Sequence, residues 1–530
     1  MTKRPYMYCG VLKVFEMPLI KIKKKNHAVL QVLTDPITRR DISEHFSFMV
    51  NNAQFIKSVK EGRWNGKINL FEPGTGELPI GLSEELINWA DENNHEVETE
   101  TDPFYGSVFE DNDESVDMTF LNRWVLTGKK GETIEPYDHQ YESIRDFLEN
   151  GRRLLVSPTN SGKTFNIYSI VRRVREIEIA EGNQNKTLIV VPSQNLVNQT
   201  RKDFETYSQK DDGFDAEEEI HMIYQGHEKK KDKNIIISTW QSLQDMSDDF
   251  FEDFTMVVVD EVHRATAKKL TGIVNACTEA RYRFGCTGTL KGCQMSEMQL
   301  NGMFGATKEV TNNKEMIDRG QSSDVQIDVL LLNHPPNVRS KSGKNFQKEV
   351  KFLTMMESRN VFIAKLAKGF EGNKVIFYDR REHGEALERI LKEMVDDESK
   401  IFLVHGGIKT KNRMEFHQKM EEETDCVLIA SLGTTSTGID ISNIQVCLFT
   451  HPVKSIITLK QSIGRLLRLN KGTKQKRFVD LVDDFSRGDY VNYTLKHGRE
   501  RMKIYKKEGF KTKLMKIKMP SPDDNQKRLF

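Results

Sequence analysis

Short runs of consecutive β-branched and aliphatic residues recur along two long stretches of the chain. Each run ends in a polar loop and is followed by an amphipathic segment with helical spacing. In the first stretch the runs are RRLLVSP, TLIVVPS, NIIISTW, MVVVDEVH and RFGCTGT; in the second they are NKVIFYD, IFLVHGG, CVLIAS and IQVCLFTH. Unbroken apolar runs of this length, without in-and-out alternation, predict strands buried on both faces, and helices between them make those strands parallel. The expected fold class is α/β, with two tandem doubly wound parallel-sheet domains whose ligand crevices lie at the carboxyl ends of the strands.

The first 125 residues break this rhythm. They contain GRWNGKINLFEPGTGELPIGL, in which Asn65-Gly66 is a hairpin-turn signal, and they predict a small α+β domain. The expected division is therefore 1–125, including an acidic connector at EDNDES; 126–325 and 326–500 for the two sheets; and 501–530 for a basic tail. The stretch NHPPNVRSKSGKN (333–345) has loop chemistry and is expected near the change of domain.

Composition adds exclusions. No apolar run reaches the roughly 20 residues of a membrane helix, and no secretory leader pattern opens the chain. The six cysteines form no C-x-x-C pair, which favours reduced thiols in the cytoplasm over disulfides or a zinc site. The net charge of +1 hides an uneven distribution: seven Lys/Arg against one Glu in the first 25 residues, none from 68 to 122, and a basic excess again from 496 to 518. Basic ends around a neutral average suit a nucleic-acid partner, although any single block also suits a solvated face.

The loop SPTNSGKT carries the chemistry. A phosphate cradle needs inward N–H groups at a helix start, a Lys for the β- and γ-phosphates and a hydroxyl for Mg²⁺. Gly162, Lys163 and Thr164 supply these after an apolar strand, although Ser157 stands where the usual pattern has Gly. About a hundred residues on, MVVVDEVH delivers Asp260 and Glu261 to a strand end, suited to holding Mg²⁺ and to activating water respectively. Upstream, EPYDHQ offers Tyr137 and Gln140 either to adenine or to a buried helix start.

In order, SPTNSGKT, VPSQNLVNQ, STWQSL, DEVH, TGT, VHGG, SLGTTSTGID and QSIGRLLR resemble the motifs of superfamily 2 helicases. That resemblance implies two RecA-like domains and assigns Ser157, Pro158, Thr159, Asn160, Ser161, Gly438 and Asp440 to ATP. It implies that Arg465 and Arg468 are fingers for the γ-phosphate, and that His263, Thr287, Gly288, Thr289 and Gln461 couple nucleotide state to the strand. Strand contacts are implied for Pro192, Ser193, Gln194, Thr239, Trp240, Gln241, Gly406, Gly407, Thr434 and Thr435.

Further stretches, LNGMFGATKEV, HGEAL, LKHGRERMKIY and the N-terminal GRWNGKINLF, look like the UvsW family of T-even-type bacteriophage recombination helicases. Membership implies ATP- and Mg²⁺-dependent action on branched DNA, single strands or RNA–DNA hybrids, with Arg63, Trp64 and Lys67 as candidate DNA contacts; Trp64 alternatively fills the small domain's core. The QKRLF end is either a frayed terminus or a dock for a sliding clamp. A single-strand-binding protein is the other expected partner. The competing expectations are a duplex translocase that separates no strands and an RNA-directed ATPase.

Overall fold

A strand that is apolar on both faces survives only between other strands with helices above and below, and both halves of the chain solve that problem in the same way. The computed structural model describes residues 19–521 except 51, 110–115, 130, 184, 212, 226–228, 231, 265–266, 291–294, 409, 433–442, 454 and 467–475. Three units follow one another.

The small N-terminal unit comprises β1 (Leu19–Lys24), β2 (Val29–Leu33), β3 (Ser47–Met49), β4 (Lys67–Asn69), β5 (Glu77–Pro79) and β6 (Glu96–Glu100). Four of these form a mixed sheet in the order β5-β2-β1-β6, while β3 and β4 form a separate antiparallel ribbon. Asn65-Gly66 does not close a tight hairpin. The ribbon's strands are joined through a 3₁₀ turn, Ala53–Phe55, and a helical turn, Lys57–Lys60, so the dipeptide only leads into β4. Gly66 has φ 79°, and a Cβ there would lie 2.8 Å from Ala53 Cβ. Its conformation serves packing beneath the ribbon. The unit docks on the middle one through His27 N–H to Thr278 O (3.0 Å), the Arg152 guanidinium to His27 O (2.7 Å) and the Tyr105 hydroxyl to Glu279 (3.1 Å).

The middle unit is a seven-stranded sheet of β7 (Arg152–Val156), β8 (Thr187–Val191), β9 (Ile220–Ile223), β10 (Ile235–Thr239), β11 (Met256–Asp260), β12 (Tyr282–Thr287) and β13 (Thr307–Glu309). All pairings are parallel, in the order β13-β7-β12-β11-β8-β10-β9. Every residue of β8, β10 and β12 is buried. The helix Lys163–Ala180 is buried on most of its circumference, with Phe165, Ile167, Tyr168, Ile170, Val171 and Val174 inside.

The third unit repeats the plan with β14 (Val325–Asn333), β15 (Lys374–Tyr378), β16 (Ile401–Val404), β17 (Val427–Ser431), β18 (Val446–Phe449), β19 (Lys476–Asp484) and β20 (Lys511–Lys518), ordered β16-β17-β15-β18-β19-β14-β20. Two expectations need correction. The segment 333–345 lies inside this unit, because β14 already belongs to its sheet; the crossing between units runs through 310–324. The expected tail 501–530 is structured over its first part, and the basic stretch 496–518 builds that structure. It forms most of the helix Tyr493–Lys507 and the edge strand β20, whose exposed lysines guard an open sheet edge against further pairing. The helix is anchored by a buried bidentate pair, Arg501 to Asp480 (2.9 and 2.8 Å), which also accepts from the Tyr505 hydroxyl (2.8 Å).

Beside that anchor, the buried Asp483 accepts from Arg359 Nε (2.9 Å) and meets His334 Nε2 (2.9 Å); burial pushes its carboxyl up, but the Arg359 charge and the His334 hydrogen bond outweigh that and hold it well below the usual carboxylate range. Two neighbouring histidines are neutral in the fold. Burial, and then the Arg359 charge, depresses His383; burial depresses His451 to about 4 despite the opposing pull of Asp379. The unfolded chain protonates both near pH 6.5 and so binds more protons than the native state below that value. Stability is therefore expected to be flat above about pH 7 and to fall as pH drops toward 4. His451 alone contributes a loss of about 2 kcal/mol by pH 5. Urea midpoints at pH 7.5 and 5.0 check this.

Candidate nucleotide-binding cleft

The loop 157–162 leaves β7 and enters the helix Lys163–Ala180. Ser157 is buried, and its hydroxyl bonds that of Ser161 (2.7 Å), tying the two ends of the loop together. Asn160 and Gly162 take positive φ (77° and 82°), which turns successive N–H groups inward. At φ 82° a side chain on Gly162 would be strained, and its Cβ would lie 2.1 Å from Gln140 Nε2 and displace that brace. The Lys163 ammonium donates to the carbonyls of Ser157 and Pro158 (3.2 Å each), which places its charge across the mouth of the loop, with Thr164 half-buried beside it. This is a cradle that fits a phosphate.

Of the two parts open to Gln140, the structure shows the buried helix start. Its amide donates to Ser161 O (3.0 Å) and accepts from Tyr137 N–H (2.9 Å), while His139 Nε2 also meets Ser161 O (3.0 Å). The residue caps the helix Asp138–Asn150 and braces the loop. Tyr137 is exposed, with its ring stacked on His139 at 5.7 Å.

Asp260 ends β11, two strands from β7. Burial, and then the adjacent Glu261, pushes its carboxyl up, against the pull of Lys163. The Cys286 thiol donates to its Oδ1 (3.1 Å), as does the Glu261 N–H (2.8 Å). Sequence reasoning missed Cys286. The signal was its register, since it pairs directly with Asp260 across β11 and β12. Glu261 sits at φ 53°, strained for a residue with a Cβ, and its carboxylate lies 3.1 Å from His263 Nδ1. That nitrogen is also 2.8 Å from the Thr287 hydroxyl, which donates to Thr289 O (3.1 Å). Glu261, His263, Thr287 and Thr289 thus form one chain of polar contacts.

The third unit closes the cleft. Pro158, Thr159, Glu261, His263, Gly288 and Thr289 line a small cavity with Asn313 and Lys460. A Cβ on Gly464 would lie 2.6 Å from Thr159 Cβ, so the helix Ile456–Leu466 rests directly on the phosphate loop. Gln461 and Arg465 are on that helix; their side chains, and Arg468, Gly438, Asp440, Thr434 and Thr435 entirely, lie outside the described residues, as do the acidic connector at 110–115 and the QKRLF end.

The expected strand contacts follow strand ends. Ser193 and Thr239 cap the helices Gln194–Tyr207 and Trp240–Leu243. Gln194 is exposed, and Gln241 reaches Pro192 O (3.5 Å). Trp240 is half-buried under Lys269 (5.4 Å), and Gly406 and Gly407 are exposed after β16. In the small unit, Trp64 is neither core nor free platform: it is half-buried, with its indole N–H donated to Lys67 O (3.0 Å), while Arg63 pairs with Glu61.

Comparison with known proteins agrees with this architecture. Residues 133–292 match the family described as type III restriction enzyme, res subunit, and 358–470 match the helicase conserved C-terminal domain. Residues 19–100 match the family described as DNA helicase UvsW, N-terminal. The chain is 29% identical over 510 residues to the ATP-dependent DNA helicase uvsW of Enterobacteria phage T4, covering 93% of this chain and 98% of that protein. It belongs to the ATP-dependent helicases of the UvsW type. The crystal structure of T4 UvsW is 27% identical and covers 94% of this chain and 99% of that one, with a TM-score of 0.49. A fragment of a putative HsdR subunit from Vibrio vulnificus YJ016 shares the fold at 18% identity, covering 72% of this chain and 69% of that chain, with a TM-score of 0.53. Among the described residues of this helicase, no helix is long and apolar enough to cross a membrane.

The close approach at Gly464 gives a direct test. Gly464→Ala must push the helix off Thr159 by a fraction of an ångström to an ångström, and ATP turnover is expected to fall by up to about 10²-fold with melting temperature unchanged. Steady-state turnover and a thermal melt check it.

Proposed function

We propose that this helicase uses ATP and Mg²⁺ to remodel branched DNA, through Holliday-junction migration, fork reversal and R-loop unwinding during phage recombination and replication in the host cytoplasm. The observation that carries the reading is the contact of Gly464 with Thr159, which brings the helix bearing Arg465 against the phosphate loop of the other domain. In this reading Lys163 and the loop N–H groups hold the phosphates, and Tyr137 stacks on adenine. Thr164 and Asp260 are the oxygen ligands for Mg²⁺, a hard cation that would relieve the crowding of Asp260 and Glu261. When bound, the ion supplies charge neutralisation at the phosphates.

Glu261 orients the attacking water and takes its proton, and Arg465 and Arg468 stabilise transition-state charge, worth roughly 10³–10⁵ in rate. Because those arginines and the cradle belong to different domains, closure follows ATP binding and reopening follows hydrolysis. The chain from Glu261 through His263 and Thr287 to Thr289 carries the nucleotide state toward the loops that grip the strand. Those loops offer hydroxyls, amides and backbone N–H groups, suited to phosphate without reading bases. DNA as the substrate is supported by the T4 relative's name.

The match of 133–292 to a restriction-enzyme motor supports a second reading, a duplex translocase that separates no strands. A panel of single strands, forks, four-way junctions and R-loops, run for ATP turnover and strand displacement beside a triplex-displacement arm, separates the two. Displacement on forks and junctions is expected; triplex displacement alone would favour the second reading. Glu261→Gln is expected to abolish turnover while leaving equilibrium binding of ATP intact, measured with a fluorescent ATP analogue.

A further inference from the structure

Among the described residues the small unit exposes two phenylalanine rings strongly, Phe104 and Phe55, and Phe55 is the one on the basic ribbon. It is 67% exposed, with Met49 (55% exposed) on the same ribbon assembly. Exposure here is not fraying. The turn Ala53–Phe55 is fixed by Ala53 N–H to Val50 O (3.1 Å), Val50 N–H to Gly66 O (2.8 Å) and the tight packing of Gly66 on Ala53. Residues 47–69 carry Lys57, Lys60, Arg63 and Lys67 against one acid, Glu61. Lys60 Nζ lies 5.8 Å from the centre of the Phe55 ring. At the foot of the ribbon, Lys67 and Asn69 line a groove with Arg39, Arg40 and Ser43, whose donors outnumber the one carboxylate there, Glu44.

A braced, exposed ring with one ammonium beside it and further cations on the same ribbon matches the chemistry of a nucleobase platform: the ring offers a face to any base, and the cations attract the backbone. We propose that Phe55 stacks on an unpaired base at the branch point of the DNA substrate. This rests on the reading of the protein as a branched-DNA helicase. The test measures affinity of the full-length protein for a labelled single strand, a four-way junction with unpaired bases and a blunt duplex of equal length, across a salt series.

Phe55→Ala is expected to weaken binding to the first two at least about fivefold and to spare the duplex. Phe55→Tyr should restore it. The slope of affinity against salt should stay constant, because the ring carries no charge, whereas Lys60→Ala should lower that slope by about one. Unchanged affinity in Phe55→Ala overturns the proposal, and so does an equal loss on blunt duplex, which would mean a backbone or protein contact. Failure of the wild-type protein to bind any DNA would instead overturn the functional reading.

A second observation is independent of the first. Glu508, beyond the matched helicase regions at the end of the helix Tyr493–Lys507, accepts from Lys460 Nζ (2.8 Å) and from the Asn313 amide (2.9 Å). Lys460 and Asn313 both line the nucleotide cavity, and Asn313 belongs to the crossing between the two sheets. Gly509, at φ 75°, packs next to Lys314 of the same crossing. The geometry points to Glu508 as a positioning residue that ties the crossing to the helix bearing Arg465 and sets the closed position of the cleft. Glu508→Ala and Asn313→Ala are each expected to raise the KM for ATP about fivefold or more, with kcat changed less than KM and the melting temperature kept. A bridge serving only the third unit's own stability would leave Asn313→Ala at the wild-type KM. That result, or a drop in melting temperature without a KM change in Glu508→Ala, overturns the assignment.

Discussion

Two parallel sheets buried on both faces gather their reactive polar groups at the carboxyl ends of the strands, and the chemistry of this protein is set by how those ends meet. The meeting is close enough that Gly464 of one unit tolerates no side chain against Thr159 of the other. From that contact follow the small lined cavity, the entry of Lys460 beside Glu261, and the dependence of the cleft on both units at once. Each sheet alone would present an incomplete site.

The carboxylates show how the fold separates chemistry from scaffolding. Asp483 is buried with Arg359 and His334 around it, and the Arg359 charge with the His334 hydrogen bond more than offsets its desolvation, so it stays ionised and fastens elements together. Asp260, half-buried at the end of β11 beside another acid, has Lys163 only partly compensating, and burial and the Glu261 charge push its carboxyl up. A buried acid left short of positive charge is costly unless something cationic completes it, whereas a compensated one is a rivet. The same logic distinguishes Arg501, locked on Asp480, from the exposed lysines of β20.

The two additions to the sheets act from outside them. The small unit is fixed to the amino-terminal side of the middle sheet by backbone contacts at His27 and by Gly81, where a Cβ would lie 2.1 Å from Asn301 O. The C-terminal helix reaches back across the third unit so that Glu508 touches both the crossing and the motif helix. Both place charge and aromatic surface at positions that the sheet topology alone does not define.

Local sequence determined what short-range physics controls. Runs such as TLIVV and MVVVD can only be buried strands, and SGKT after such a run can only turn its N–H groups inward, so the architecture and the phosphate loop were legible from residue order. The short β9 and β13 and the lysine-rich β20 were not, because such segments become strands only when a neighbouring strand supplies hydrogen bonds; β14 and β19 are long and buried, but their apolar runs are broken by Asp328 and by Asp480, Asp483 and Asp484. The same holds for residues whose meaning is a partner distant in sequence. Gln140 reads equally as an adenine contact or a helix-start residue until Ser161 occupies its amide, and Trp64 as a DNA contact or a core residue until its N–H is spent on Lys67. Phe55, Cys286 and Glu508 carry no motif at all. Their roles arise from exposure, register and proximity, and those quantities exist only once the chain is packed.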